Sequence, residues 1–152
     1  VSFLIVCDEG KEHESVMRLA RVGYDRVAGY LKGGLKAWKQ AGNKTQSVES
    51  IQAADFVMHY NKDGKVLDVR NDAEVARGLV KDAIAIPLAA LSNRLHELDK
   101  QQHYYVYCRS GFRSMIACSI LQKNGFTKLT NVSGGMNAIA KTKVEIEVPA
   151  EA

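Results

Sequence analysis

The sequence predicts an α/β protein: an open parallel sheet flanked by helices on both faces, preceded by a partial copy of the same fold. Three observations predict it. Short β-rich runs alternate with helical stripes of about ten residues from end to end, the pattern of parallel strands joined by crossover helices. Two of the runs, Val66-Leu67-Asp68-Val69 and Tyr104-Tyr105-Val106-Tyr107, are nearly continuous in apolar and aromatic residues, as strands covered on both faces are. Landmarks of the first forty residues also recur, in the same order, a hundred residues later.

Ser2 to Cys7 is an apolar run of strand length. Glu14 to Val22 carries Val16, Met17, Leu19, Ala20 and Val22 at helical spacing and stops at Gly23. Arg26 to Gly29 has strand length, and Gly33-Gly34 turns the chain into a helix holding Leu35 and Trp38. The polar stretch Gly42 to Ser47 is the best boundary in the chain. Beyond it, Ser50 to Tyr60 is expected as a helix and Asn61-Lys62-Asp63-Gly64 as a turn. Val66 to Val69 is a strand ending in Arg70, and Asn71 with Glu74 forms an Asx version of the capping box. Ala83 to Ile86 is a strand closed by Pro87, and Leu88 to Leu98 an amphipathic helix. His103 to Tyr107 is a strand running into Cys108, Ser114 to Lys123 a helix, and Lys128 to Asn131 a strand. Gly134-Gly135 opens a last helix, and Val144 to Val148 is expected at a sheet edge.

The recurrence is specific. Gly33-Gly34 lie 26 and 27 positions after Cys7, and Gly134-Gly135 lie at the same offsets after Cys108. Each cysteine ends an apolar strand and precedes a helix closing at Gly-aromatic, Gly23-Tyr24 or Gly125-Phe126. Residues 1–43 therefore read as the C-terminal half of a domain whose complete form is residues 44–152. The chain begins at Val1 rather than Met, and we expect a piece of a longer protein.

Composition narrows the function. The chain has 152 residues, 46% hydrophobic and 25% charged, which excludes extended disorder. No run approaches the roughly 18 apolar residues of a membrane span. The 21 Lys and Arg against 17 Asp and Glu leave a net charge of +4, scattered rather than massed, so small anions are better partners than nucleic acid. Three cysteines are too few for a disulfide framework, and the expectation is reduced thiols in the cytoplasm. His59, His96 and His103 lack ligand spacing, so neither a metal site nor a cofactor is expected.

The chemistry concentrates in Cys108-Arg109-Ser110-Gly111-Phe112-Arg113-Ser114, between a strand and a helix. Carboxyl ends of parallel strands are where open α/β sheets bind ligands. A short loop ahead of a helix turns backbone N–H groups toward one point, and the helix end adds partial positive charge. With Arg109 and Arg113 these favour thiolate over thiol, below the unperturbed cysteine value of about 8.5. Cys7, followed by Asp8, Glu9, Glu12 and Glu14, has the opposite surroundings and is expected to be inactive. Cys118 is expected to pack in the core.

This string resembles the active-site loop of the rhodanese (sulfurtransferase) family, Cys-Arg-x-Gly-x-Arg-Ser/Thr, and the likeness runs from Val48 onward. Leu67-Asp68-Val69-Arg70 resembles the family's Asp-x-Arg strand, Ala83 to Pro87 its Ala-x-Asn-Ile-Pro stretch, and Asn131 to Met136 its Gly-Gly turn. Gly78-Leu79-Val80-Lys81-Asp82 departs from the family's Gly-His-Ile-x-Gly, with Leu79 for His and Asp82 for Gly, and Ala85 stands for Asn. The resemblance implies a rhodanese-like fold and transfer of a sulfane sulfur from thiosulfate or a persulfide to cyanide or a thiol, through a persulfide on Cys108. Arg109 and Arg113 would gather the anionic donor in a cradle completed by Ser110, Gly111, Phe112 and Ser114. Asp68 and Arg70 would support it by pairing with loop or helix groups.

Two other functions stay open. One is a sulfur-carrier or regulatory module, similar to the tandem rhodanese tail fused to a metallo-β-lactamase-fold sulfur dioxygenase. That likeness implies an upstream domain of that fold as partner, and the open edge and apolar face expected of a half-domain at residues 1–43 call for cover by upstream sequence, exchange between chains or a second subunit. The other is a cysteine phosphatase, whose loops place five residues between Cys and Arg where this one places four.

Overall fold

The structure is a computed structural model and describes residues 2–60, 62 and 64–149. It divides into two compact units, residues 1–47 and 48–152. In the first, β1 (Phe3–Ile5) and β2 (Val27–Tyr30) pair in parallel, joined by α1 (Glu12–Ala20) and followed by α2 (Gly34–Gln40). Two strands cannot enclose a core. Ile5 is its one buried hydrophobic side chain among the described residues, while Leu4, Val6, Tyr30, Leu35 and Trp38 are exposed.

The second unit carries β3 (Glu49–Gln52), α3 (Ala53–His59), β4 (Lys65–Asp68), α4 (Asp72–Val75), β5 (Leu79–Val80), β6 (Ile84–Ala85), α5 (Leu88–Leu91), β7 (Tyr104–Tyr107), α6 (Phe112–Lys123), β8 (Leu129–Ser133), α7 (Gly135–Ile139) and β9 (Ile146–Glu147). Five strands form a wholly parallel sheet in the order β3-β8-β7-β4-β6. The side-chain alternation of β7 divides the core. Tyr104, Val106 and Cys108 face a cluster with Leu91 of α5 and Ala117, Cys118 and Leu121 of α6. Tyr105 and Tyr107 face Ala53 and Phe56 of α3 and Ile139 of α7. Helices thus cover both faces, and β7, flanked on each side, delivers its carboxyl end to the centre of the sheet.

Several elements differ from expectation. Residues 50–52 are not helical but belong to β3, an edge strand on β8. Its residues are exposed except for the half-buried Ile51, so backbone pairing holds it and no apolar stripe marks it. The helix expected over 88–98 breaks after Leu91. Asn93 and Arg94 donate to the carbonyls of Ala90 and Leu91, three residues back, and a 3-10 turn follows at Leu95–Glu97. Ser92 and Asn93 are residues whose side chains compete with helical bonding. Leu79–Val80, not expected as a strand, pairs antiparallel with β9 in a separate two-stranded sheet. The expected edge strand 144–148 is real but sits there rather than on the main sheet. Asn61 and Asp63 of the expected turn lie outside the described residues.

Candidate active site

Cys108 follows β7 directly and is 1% exposed. The chain leaves it through Gly111, at φ 101°, and enters α6. That conformation is costly for any residue with a Cβ. The loop is clamped from outside: the N–H of Met136 donates to the Cys108 carbonyl at 2.7 Å and that of Asn137 to the Arg109 carbonyl at 3.0 Å. The approach of α7 is so close that a Cβ on Gly135 would collide with the Cys108 carbonyl oxygen.

With those carbonyls turned onto α7, N–H groups turn toward sulfur. Gly111 N–H donates to Cys108 Sγ at 3.2 Å, and the Ser114 hydroxyl lies 3.6 Å from it. Burial alone pushes the thiol up. The Ser114 hydroxyl and the N–H groups of Ser114, Ser110 and Gly111 outweigh it and hold the thiol below the usual cysteine value. Ser114 has one proton and other acceptors, Gly111 O at 3.0 Å and Asn131 Oδ1 at 2.7 Å. Asn131 Nδ2 in turn donates to Ser50 Oγ at 3.2 Å. Rotated by half a turn, that amide would donate to Ser114 and release its proton to the sulfur.

The cationic residues are arranged otherwise than the sequence suggests. Arg113 makes a two-pronged pair with Glu74, at 2.7 and 2.8 Å. That pairing holds the Glu74 carboxyl down to about 2. Arg109 and Ser110 are exposed, and among the described residues Arg109 has no carboxylate partner. Phe112 stands 76% exposed at the rim. Asp68 and Arg70 do not pair with the loop. They pair with each other, Arg70 Nη2 to Asp68 Oδ2 at 2.6 Å, both buried, and Arg70 Nη2 also donates to the Gly78 carbonyl at 2.7 Å. Their shared location at the carboxyl end of β4 makes the mutual pair shorter than any reach to the loop. Leu79, which stands where the family commonly has His, is buried in β5.

Glu74 and Asn131 are absent from the sequence-based site. Glu74 shows only as a helix cap, a role it also keeps: Asn71 Oδ1 accepts from its N–H at 2.9 Å. Asn131 carried only a weak signal, a side-chain amide in the middle of the strand Leu129–Ser133, and it is 4% exposed. Burial pushes the Cys118 thiol up to about 12, as a packing residue requires. Among the described residues no group of side chains could hold a metal, and no helix is long and apolar enough to cross a membrane.

A thiol held below its usual value by amides, at the head of a helix and the end of the central strand of a parallel sheet, defines an α/β domain with Cys108 as its candidate nucleophile. Comparison with known proteins makes the assignment finer. The model of the rhodanese-like domain family matches residues 53–142, and the chain belongs to that sulfurtransferase family. A sulfurtransferase of Allochromatium vinosum is 35% identical over 88 residues, which are 58% of this chain and 82% of that protein. A putative sulfurtransferase of Bacillus subtilis is 44% identical over 73 residues, 48% of this chain and 70% of that one. The crystal structure of a rhodanese-related protein from Thermoplasma volcanium matches with a TM-score of 0.62 at 30% identity, over 66% of this chain and 99% of that one.

Proposed function

We propose that Cys108 carries a sulfane sulfur between an anionic donor and a thiophilic acceptor. Its thiolate attacks the outer sulfur of thiosulfate. The new S–S bond forms as the donor's own breaks, and sulfite leaves with the electron pair. Cyanide or a thiolate then attacks the outer sulfur of the Cys108 persulfide, forming thiocyanate or a new persulfide and returning the Cys108 thiolate. This is covalent catalysis in two half-reactions. The observation that carries the reading is the Cys108 sulfur itself, which faces N–H and O–H donors able to hold negative charge on either sulfur of the persulfide. Arg109, with no carboxylate partner among the described residues, meets the donor, and Arg113, held by Glu74, fixes the first turn of α6.

The test is incubation with thiosulfate and cyanide. The expected result is thiocyanate, lost in Cys108→Ser, with one added sulfur atom on Cys108 by intact mass when cyanide is omitted. A stable adduct without turnover would favour a carrier, and no adduct at all would overturn the reading.

For residues 1–43 we propose the C-terminal half of a degenerate copy. Support comes from the order β1-α1-β2-α2, which repeats β7-α6-β8-α7 with parallel strands in both. Gly33 and Gly134 share φ near 75° (74° and 77°), and a Cβ on either would crowd Ala37 or Ala138, at 2.9 and 2.7 Å. Gly34 and Gly135 each lie under the carbonyl of their cysteine.

A further inference from the structure

A cleft of about 290 Å³ adjoins the nucleophile loop, bounded by residues of α4, α7, β9 and Arg109. The backbone of Met136 and Asn137, on one side of it, is the backbone that bonds to Cys108 and Arg109. Three arginines line it, in unequal states. Arg70 is consumed by Asp68 and Gly78 O. Arg77 and Arg109 are exposed and, among the described residues, neither has a carboxylate partner. The one carboxylate in the lining, Glu74, is occupied by Arg113. The rest of the lining includes apolar surface from Met136, Ala140 and Ile146. Thiosulfate alone uses neither the volume nor the apolar wall. Cations and hydrocarbon lining one cleft suit an organic anion, with carbon against the apolar side chains and charge on the guanidiniums.

Building on the sulfur-transfer reading, we propose that this cleft takes the carbon framework of an organic sulfur donor bearing a second, remote carboxylate, and that Arg77 determines specificity for that carboxylate. The reacting sulfur is then presented to Cys108, and Arg77 is the guanidinium assigned to the second charge.

Two arenethiosulfonates differing in one group test this in the whole protein: benzenethiosulfonate and 4-carboxybenzenethiosulfonate. Each gives its outer sulfur to the Cys108 thiolate and leaves as the sulfinate with the electron pair of the broken S–S bond. The carboxylated donor is expected to have kcat/KM about five- to tenfold higher, chiefly through KM, as a charge-assisted contact in a half-exposed site allows. Arg77→Ala should remove the preference, Arg77→Lys should keep part of it, and Arg77→Glu should reverse it. Binding of the two unreactive sulfinate products, measured by calorimetry, should show the same ranking without any turnover. Equal use of both donors, or a preference that survives Arg77→Ala, overturns the specificity assignment while leaving sulfur transfer standing. Failure of both donors to persulfurate Cys108 overturns the sulfur-transfer reading itself, and the sulfinate ranking then judges the cleft alone.

Discussion

Replacing Ser114 by Ala isolates the one side chain in the cradle that both touches sulfur and can be removed. The hydroxyl is the largest influence lowering the Cys108 thiol, and burial is the influence raising it, so its loss moves the thiol upward. A good charge-assisted hydrogen bond contributes about 1.5–3 kcal/mol. Here the hydroxyl is 3.6 Å from sulfur and shares its proton with acceptors at 2.7 and 3.0 Å, which places it near or below the bottom of that range. About 1.4 kcal/mol corresponds to one pKa unit. The rate of iodoacetamide alkylation of the Cys108 peptide, followed against pH by mass spectrometry, should keep its high-pH plateau while its midpoint rises by about one unit. The backbone donors of Ser110, Gly111 and Ser114 remain, so thiolate formation persists. A midpoint that stays in place, or falls, in a folded Ser114→Ala protein would refute the assignment of the hydroxyl and leave the amides as sole cause.

The Arg113–Glu74 pair gives a pH-dependent stability. The Glu74 carboxyl is depressed from 4.5 to about 2, so its contribution is present above pH 4.5 and lost as pH falls through 2. After allowance for partial exposure, wild type should exceed Glu74→Gln by about 1–2 kcal/mol at pH 7, with the gap closing between pH 4.5 and 2 in urea titrations. Cys118, with its thiol pushed up to about 12, should resist alkylation at pH 8 in the native protein. Cys118→Ser should cost about 1–3 kcal/mol by burying a hydroxyl, read as a lower urea midpoint. Asp82 holds φ 59° in the turn after β5, so Asp82→Gly should raise stability by about 0.5–1 kcal/mol in the same titration.

What the sequence made legible is what local chemistry and side-chain alternation decide. The turn of Cys108-Arg109-Ser110-Gly111 into a helix follows from a glycine and a strand end, and the two-faced burial of Tyr104 to Cys108 follows from a run with no polar face. The edge strand at Ser50 to Gln52 escaped because its bonds are to the backbone of β8, and little of its side-chain surface is buried. The helix at 88–98 was misjudged because apolar spacing continued through Ser92-Asn93, where local competition for backbone bonds stops the helix. The electrostatics of the site escaped for another reason. Arg113 meets Glu74 across 39 positions, so counting charges near Cys108 credits the thiol with a cation already neutralised. Asp68 and Arg70, two positions apart, were open to either an ion pair or a contact with the loop, and burial at the end of one strand decides for the pair.

The two segments that carry a Gly-Gly pair separate the demands of scaffold from those of chemistry. Gly33-Gly34 with Ala37, and Gly134-Gly135 with Ala138, make the same close approach of a helix start to the carbonyl after a strand. That approach needs absent side chains, whatever the loop contains. The loops themselves diverge. Cys108 is followed by Arg109, Ser110 and Gly111, the last two with amides that face sulfur, and Cys7 by the carboxylates Asp8 and Glu9, whose charges repel an anionic donor. The glycine pair is therefore a requirement of the βαβα half-domain, and reactivity depends on what fills the loop above it. The consequence for Cys108 is that the clamp by α7 is necessary and insufficient: it orients the amides, and Ser114 with its Asn131 neighbour sets how strongly sulfur is held as an anion.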